Sequence, residues 1–287
     1  MRAVVVGHVE WIEFVRVERM PLAGEIVHAT EAWEEAGGGG AVAAVQLAKL
    51  AGGATFFTAL GDDELGHRAH AELEALGLRV EAAFRPGPQR RAVVHLDGAG
   101  ERTITVIGDR LGPRGGDPLP WDELADFDAV YFTAGDPEAA RRARAARTLV
   151  STARGLATLA ASGVELDALV ASGSDEGERY EPGQLDSPPR LVVRTAGAAG
   201  GGWERAGESG RYEATPPPGP VRDAYGCGDS FAAGLTFGLG EGRQLEAALE
   251  LAAHCGAACL TGRGPYEGQL TAPGWCSTSA EERGEEA

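Results

Sequence analysis

Short apolar segments alternate with longer amphipathic ones along most of the chain. Residues 2–6 include three consecutive valines and end at Gly7, a pattern typical of a buried strand in a parallel sheet. The same periodicities predict strands over 55–60, 129–133, 166–170 and 191–195, and helices over 41–50, 63–76, 137–150, 226–239 and 244–260. This alternation indicates an α/β fold with a doubly wound, mostly parallel sheet.

Two segments have a different pattern. Residues 24–34 and 91–106 mix apolar and polar side chains around turns such as Asp97–Gly100, as expected for hairpins with one face in water. We predict that they form a small β-sheet lid on a single large domain that spans residues 1–275. The glutamate-rich segment 276–287 is predicted to be a flexible tail.

Composition and charge exclude several classes of protein. With 43% hydrophobic and 24% charged residues, the chain is predicted to be globular. Its formal net charge of −17 argues against nucleic acid or an anionic membrane as partner, so any phosphate site must be local. Four cysteines without a metal or disulfide pattern, and no apolar run of about 18 residues, predict a cytoplasmic protein.

The most informative segment lies before the helix predicted over 226–239. Gly226, Cys227 and Gly228 place free backbone N–H groups at a helix start, where they form an anion hole suited to a phosphoryl group. Asp229 follows directly. Its carboxylate fits a base that takes a proton from an attacking hydroxyl, or a cap of the helix, and the local pattern leaves both roles open.

This segment resembles the C-terminal signature of the PfkB family of carbohydrate kinases, which have the ribokinase-like fold. The matching positions are Asp223, Gly226, Gly228, Asp229, Ser230 and Phe231. Cys227 stands where the family usually has alanine. The resemblance implies that Asp229 is the catalytic base and that Gly226, Cys227 and Gly228 stabilise the transferring phosphoryl group.

A second resemblance covers 37–50 and 58–66, which are similar to the N-terminal signature of the same family. It implies that Gly38 and Gly39 bind the substrate. Val42 occupies the position of an asparagine that binds a sugar hydroxyl in the family. The glycine run 37–40, taken alone, also fits a flexible linker.

The sequence departs from the family at another acceptor contact, because Ile12 stands where relatives carry a substrate-binding aspartate. Glu13 is our candidate for this role, with Glu10 as an alternative, although either carboxylate could also be a solvated surface group. Arg91 and Arg102 lie on the predicted lid, where they would contact an anionic substrate group or, as we favour, face solvent.

A third resemblance concerns 191–200, which are similar to the strand and turn that contact the nucleotide in the family; it implies Thr195, Gly197 and Gly200 as nucleotide-binding residues. The segment 172–175 takes the place of a family motif that organises magnesium, but it lacks that motif's asparagine and glutamate. We expect ATP with Mg²⁺, leave the metal ligands unassigned, and leave the need for a monovalent cation open.

We therefore predict a kinase that transfers the γ-phosphoryl group of ATP to a hydroxyl of a sugar, a sugar derivative or a nucleoside. A dinucleotide-binding dehydrogenase is disfavoured because no G-x-G-x-x-G motif follows the first strand. The alternatives are a dedicated nucleoside kinase and a noncatalytic sensor that binds sugar or nucleotide. A homodimer through the lid is expected.

Overall fold

The computed structural model describes residues 1–272, so the predicted tail 276–287 lies outside the described residues. Thirteen strands lie in this part of the chain: β1 Ala3–Val6, β2 Glu10–Arg16, β3 Glu31–Gly37, β4 Ala54–Gly61, β5 Leu78–Arg85, β6 Arg91–Leu96, β7 Arg102–Ile107, β8 Ala129–Phe132, β9 Thr148–Thr152, β10 Ala168–Ser172, β11 Val192–Thr195, β12 Gly201–Arg205 and β13 Glu208–Tyr212.

Six α-helices lie in the same range: α1 Gly39–Ala51, α2 Glu64–Ala75, α3 Pro137–Ala143, α4 Leu156–Ser162, α5 Cys227–Gly240 and α6 Leu245–Cys259. Short 3₁₀ turns occur at Trp121–Asp126, Ala153–Gly155, Glu176–Glu178 and Gly197–Ala199. Among these elements, no helix combines the length and the apolar character needed to cross a membrane.

Nine strands form one large sheet in the order β13-β12-β11-β10-β9-β8-β1-β4-β5. All neighbouring pairs from β11 to β5 are parallel, and only the hairpin β12–β13 adds antiparallel pairs. The valines of β1 alternate between two hydrophobic clusters: Val5 packs with α1, α5 and α6, whereas Val4 and Val6 pack with α3 and α4. Helices therefore cover both faces, which confirms the predicted doubly wound sheet.

The lid is a separate four-stranded sheet in the order β3-β2-β6-β7. Its inner face carries Ile12 and Phe14, both fully buried, and the Phe14 ring contacts the Tyr225 ring edge to face at 5.2 Å. The lid strand predicted over 24–34 begins only at Glu31, and β2, which we did not predict, supplies a central strand. Ile26 is 90% exposed, so the first part of that segment has no packing partner to hold it in a sheet.

The helix predicted over 137–150 is also shorter than expected. It ends at Ala143, and Thr148–Thr152 is strand β9, paired in parallel with β8 and β10. The arginine- and alanine-rich part favours a helix, but Thr148–Thr152 contains three β-branched residues and buries its centre between two strands. Tertiary pairing therefore decides the conformation of this segment.

Candidate active site

Helix α5 begins at the edge of the sheet where the parallel strands end, and it positions Asp229. Gly226 caps the helix in the left-handed conformation, with φ of 81°, which a side chain would strain. The N–H groups of Cys227, Gly228 and Asp229 belong to the first turn and therefore have no acceptor within the helix. Of the predicted anion hole, Cys227 and Gly228 lie in this first turn and Gly226 is the cap; binding of a phosphoryl group there stays a prediction.

Asp229 is not the cap of this helix, because Gly226 holds that position and no side chain caps the N-terminus. Its carboxylate has no hydrogen-bond partner within residues 1–272, and its side chain is partly exposed. Desolvation, followed by the negative charge of Glu178, raises its pKa to about 7, while Arg102 and Arg154 act in the opposite direction. Such a carboxyl group can exchange a proton near neutral pH.

The glycine run 37–40 connects the lid to the main domain. Strand β3 ends at Gly37 and α1 begins at Gly39, so the run is an ordered junction and the linker interpretation is wrong. A Cβ at position 39 would lie 2.6 Å from Asp229 Oδ1. Gly38, with φ of 87°, donates its N–H to the Tyr225 hydroxyl at 3.0 Å. Both predicted substrate glycines therefore border the Asp229 region.

Val42 does not line an open acceptor site. It is completely buried, and a Cβ on Gly226 would lie 2.9 Å from Val42 Cγ1. Its carbonyl oxygen accepts a hydrogen bond from Gln269 at 2.9 Å. The valine therefore supports the loop before Asp229 through apolar contact.

Glu13 lies apart from these residues. It is exposed on β2 and stands opposite Glu34 of β3, on the face of the lid away from Ile12 and Phe14. Glu10 is buried instead: a Cβ at Gly38 would lie 3.4 Å from Glu10 Cγ, and the Glu10 charge acts on Asp229. Of the two candidate carboxylates, the structure brings Glu10 to the site and leaves Glu13 outside it.

A basic group surrounds Glu10. Arg90 Nε donates to Glu10 Oε1 at 2.7 Å, and His8 Nε2 lies 4.0 Å from the same oxygen. Burial, followed by the charges of Arg110, Arg90 and Arg154, lowers the pKa of His8 to about 3, so its imidazole is neutral. Sequence patterns did not identify these residues, because they come from three separate segments, which follow β1, precede β6 and follow β7.

Arg102 does more than face solvent. Its Nη1 donates to the Ala224 carbonyl at 3.2 Å, just before the anion hole, and its charge acts on Asp229. Arg91 is exposed, as predicted. Arg102 therefore links β7 to the loop that leads into helix α5.

The predicted nucleotide turn follows β11, at the same edge of the sheet. Thr195 ends the strand, and its carbonyl accepts the N–H of Gly173, which follows the neighbouring β10. The N–H of Gly200 donates to the Gly197 carbonyl at 3.1 Å, and the Gly200 carbonyl accepts from Ala196 at 2.8 Å. Parallel strands end together, so this turn lies at the edge of the sheet where their carboxyl ends meet.

Within residues 1–272, no group of three or more His, Cys, Asp or Glu side chains is arranged to bind a metal. After β10, Asp175 and Glu178 both pair with Arg154, at 2.7 and 2.6 Å. Mg²⁺ commonly needs only one or two carboxylates in addition to substrate phosphates. Asp175 and Glu178 are two such carboxylates, but both are paired with Arg154 and they do not form a protein cage.

Comparison with known proteins identifies the family of this chain. The chain matches the pfkB family carbohydrate kinase model over residues 2–161 and 140–272. It is 30% identical to an ATP-dependent ribose-1-phosphate kinase from Halopiger xanaduensis, over 95% of each chain. It superimposes on a putative ribokinase from Agrobacterium tumefaciens with a TM-score of 0.82, 22% identity and 99% coverage of each chain.

The fold is also that of Arabidopsis thaliana ribokinase complexed with ribose and ATP, with a TM-score of 0.74, 21% identity and coverage of 96% of this chain and 97% of the other. The chain therefore belongs to the pfkB family of carbohydrate kinases. It is a ribokinase-like phosphotransferase with an alcohol group as acceptor, as the two glycine-rich signatures predicted.

Proposed function

We propose that the protein transfers the γ-phosphoryl group of ATP to a hydroxyl of a sugar or sugar derivative, with Asp229 as the general base. One observation carries this proposal. The carboxylate of Asp229, in the first turn of α5, lies against Gly39, the first residue of α1. It has no hydrogen-bond partner within the described part of the chain, and its pKa is about 7. A base with these properties is ionised to a useful extent near neutral pH and can still accept a proton.

In the proposed reaction, Asp229 takes the proton of the acceptor hydroxyl while the oxygen of that hydroxyl bonds to the γ-phosphorus of ATP. The bond from that phosphorus to the bridging oxygen breaks, and ADP leaves. The N–H groups of Cys227, Gly228 and Asp229 at the start of α5 stabilise the charge on the transferring group. Mg²⁺ bound with the nucleotide would neutralise phosphate charge, with Asp175 and Glu178 as the carboxylates available to hold it.

The relative with 30% identity is described as a ribose-1-phosphate kinase, which favours a sugar derivative as acceptor. Neutral ribose is expected to be a poor acceptor, since Ile12 and Val42 are buried aliphatic residues and offer no hydrogen bond to a sugar hydroxyl. A nucleoside remains the second acceptor class, and it belongs in the same substrate screen.

The decisive variant is Asp229→Asn, which keeps the size of the side chain and removes the base. We expect turnover to fall by about 10²–10⁴-fold, because this is the usual contribution of a positioned base. Nucleotide affinity should change little. Single-turnover phosphoryl transfer and ATP titration measure the two quantities separately.

A matched control is Asp175→Asn, which also removes a carboxylate from this edge of the sheet but lies with Arg154 after β10. It should affect nucleotide affinity more than the pH dependence of turnover. Full turnover by a folded Asp229→Asn protein would eliminate the base assignment. A wild-type protein that binds sugar or nucleotide without any turnover would instead favour a noncatalytic sensor.

We also propose that the lid pairs with a second copy to form a homodimer. Strand β7 is an edge strand, and Ile104, Val106 and Ile107 are 41%, 43% and 40% exposed. Edge strands with exposed apolar side chains favour pairing with another strand. Sedimentation at micromolar concentration should give a dimer that Val106→Lys weakens and Ala160→Lys, on α4, does not; a monomeric wild-type protein would refute the pairing.

A further inference from the structure

Helices α5 and α6 pack against each other with their backbones in close contact. A Cβ on Gly238 would lie 2.8 Å from Ala248 Cα, and a Cβ on Gly234 would lie 2.9 Å from Ala252 Cα. The two contacts are one helical turn apart, and residue numbers fall along α5 while they rise along α6. The helices are therefore antiparallel, and their register runs towards the start of α5 and the end of α6.

This register ends at a pair of cysteines. On the next turn of α6, a Cβ on Gly256 would lie 3.3 Å from the Cys227 carbonyl oxygen. Cys227 is the first residue of α5, and Cys259, three positions after Gly256, is the last residue of α6. Because residues three apart share a face of a helix, Cys259 faces the start of α5.

The side chains of these cysteines meet. Cys259 Sγ lies 3.5 Å from the carbonyl oxygen of Tyr225, two residues before Cys227. The Cys227 and Cys259 thiols are hydrogen-bonded to each other; this contact, followed by burial, raises the pKa of Cys227, and it lowers the pKa of Cys259 against the effect of burial. The reduced protein therefore already holds the two sulfur atoms side by side.

The two cysteines differ in exposure. Cys259 is completely buried, whereas Cys227 is partly exposed and precedes the exposed Gly228. A small oxidant can therefore reach the pair from the side of the predicted anion hole. The thiolate is the reactive form of cysteine, and the lowered pKa of Cys259 favours it within the pair.

Cys255 lacks these features, although it lies on the same helix. It is completely buried, its Sγ would lie 2.8 Å from a Cβ on Gly234, and burial raises its pKa. The fourth cysteine, Cys276, lies outside the described residues. Cys255 is therefore a matched control for the buried member of the pair.

We propose that Cys227 and Cys259 are a redox modification site, at which hydrogen peroxide forms a disulfide between the start of α5 and the end of α6. A thiolate of the pair attacks one peroxide oxygen, the O–O bond breaks, and a sulfenic acid and hydroxide form. The other thiol attacks the sulfenic sulfur, an S–S bond forms, and the sulfenic oxygen leaves as water. The hydroxide takes the proton that the first thiol released, so two electrons pass from sulfur to peroxide and two waters result.

The consequence of this disulfide for catalysis rests on the proposed function. Cys227 carries one of the N–H groups of the predicted anion hole, and Asp229 follows two residues later. A covalent S–S bond is shorter than any contact between unbonded sulfur atoms, so its formation would draw Cys227 towards α6. A misplacement of about 1 Å can cost about 10²-fold in rate, so the disulfide should reduce phosphoryl transfer until a thiol reductant reverses it.

The test compares wild type with three variants, each treated with hydrogen peroxide and then with dithiothreitol. Cys259→Ser removes the sulfur and keeps a small polar group beside the Tyr225 carbonyl. Cys227→Ala removes the other sulfur and decides the matter if Cys259→Ser does not fold. Cys255→Ser is the control.

Peptide mapping by mass spectrometry without reduction identifies each disulfide. ADP release with the best acceptor of the substrate screen measures kcat, and each rate is compared with that of the same protein before oxidation. We expect peroxide to link Cys227 to Cys259 in wild type and in Cys255→Ser, with kcat lowered at least about tenfold and restored by dithiothreitol. Cys259→Ser and Cys227→Ala should form no such link and should keep their own rates.

The proposal is overturned if wild type forms no link between Cys227 and Cys259, if Cys276 pairs with either of them instead, or if peroxide inactivates Cys259→Ser as it does wild type. A complete Cys227–Cys259 disulfide with unchanged kcat would refute its effect on phosphoryl transfer. Failure of the proposed function has a different signature. No ADP release by the reduced protein with any acceptor would refute the kinase, whereas peptide mapping would still decide the modification site.

Discussion

At the scale of single residues, the proposed chemistry depends on the carboxyl group of Asp229, whose pKa is set by opposing electrostatic effects. Desolvation and Glu178 raise the pKa of Asp229, and Arg102 and Arg154 limit the increase, with a result of about 7. Because its folded pKa is above the unfolded value, ionisation of Asp229 costs stability as the pH rises from about 4 to 7. Part of the folding free energy is thus used to keep a carboxyl group, the proposed base, that titrates near neutrality.

The first prediction follows from this titration. Turnover should rise with pH through an apparent pKa near 7, because only the carboxylate can accept the proton. The Asp229→Asn protein should also lose less thermal stability than wild type between pH 5 and 8, since it lacks the partly desolvated carboxyl group whose ionisation costs stability. Glu35 also has a pKa raised to about 7, so the difference between the two proteins isolates Asp229. Identical stability profiles would contradict the shift.

At the scale of elements, the junction between β3 and α1 gives Asp229 its place. Gly39 starts the helix, and its lack of a side chain lets the Asp229 carboxylate approach the backbone. The two glycine-rich segments lie nearly 190 residues apart in the sequence, yet they meet at this contact. The first segment therefore contacts the proposed base, which the second segment carries.

The second prediction concerns this contact. Gly39→Ala should displace Asp229, since the new methyl group would lie 2.6 Å from Oδ1. Small displacements of catalytic groups can cost about 10²-fold in rate, so we expect kcat to fall by about 10- to 100-fold. Gly116→Ala is the control, because a Cβ there meets no atom within 4 Å. A Gly39→Ala enzyme with normal kcat would argue against a tightly held base.

At the scale of the whole molecule, the lid contacts the main domain at residues 222–225, the segment just before helix α5. Phe14 of the lid packs on Tyr225, and the Tyr225 hydroxyl accepts the N–H of Gly38. Arg16 and Arg102 of the lid donate to the carbonyls of Arg222 and Ala224. The position of the lid and the shape of the anion hole therefore depend on the same short segment.

The third prediction tests this coupling with Tyr225→Phe, which keeps the ring and removes the hydroxyl. A buried N–H without its acceptor costs about 1–3 kcal/mol, so the free energy of unfolding should fall by that amount, with a lower kcat/KM. Tyr212→Phe is a matched control, because the Tyr212 hydroxyl is buried without a partner and its loss should cost little. Denaturant unfolding compares the two, and equal effects would show that the Gly38 contact is not specific.

Much of the architecture could be predicted because it depends on local patterns. The run of valines in β1 predicts a buried strand, and the helical periodicities of α1, α5 and α6 predict those helices. The segment Thr148–Thr152 could not, since its conformation depends on pairing with β8 and β10 rather than on its arginine-rich neighbourhood. The strand β2 was missed for the same reason.

By itself, the sequence determined the fold class, the family and the glycine-rich segment that ends in Asp229, because these depend on residue types at fixed short spacings. Only the tertiary structure decided which carboxylate reaches the site, placing Glu10 inside and Glu13 on the outer face of the lid. It also placed Arg90 beside Glu10, where Arg90 Nε donates to Glu10 Oε1 at 2.7 Å. Strand alternation and contacts between distant segments set these placements, and a register of one residue separates a buried side chain from an exposed one.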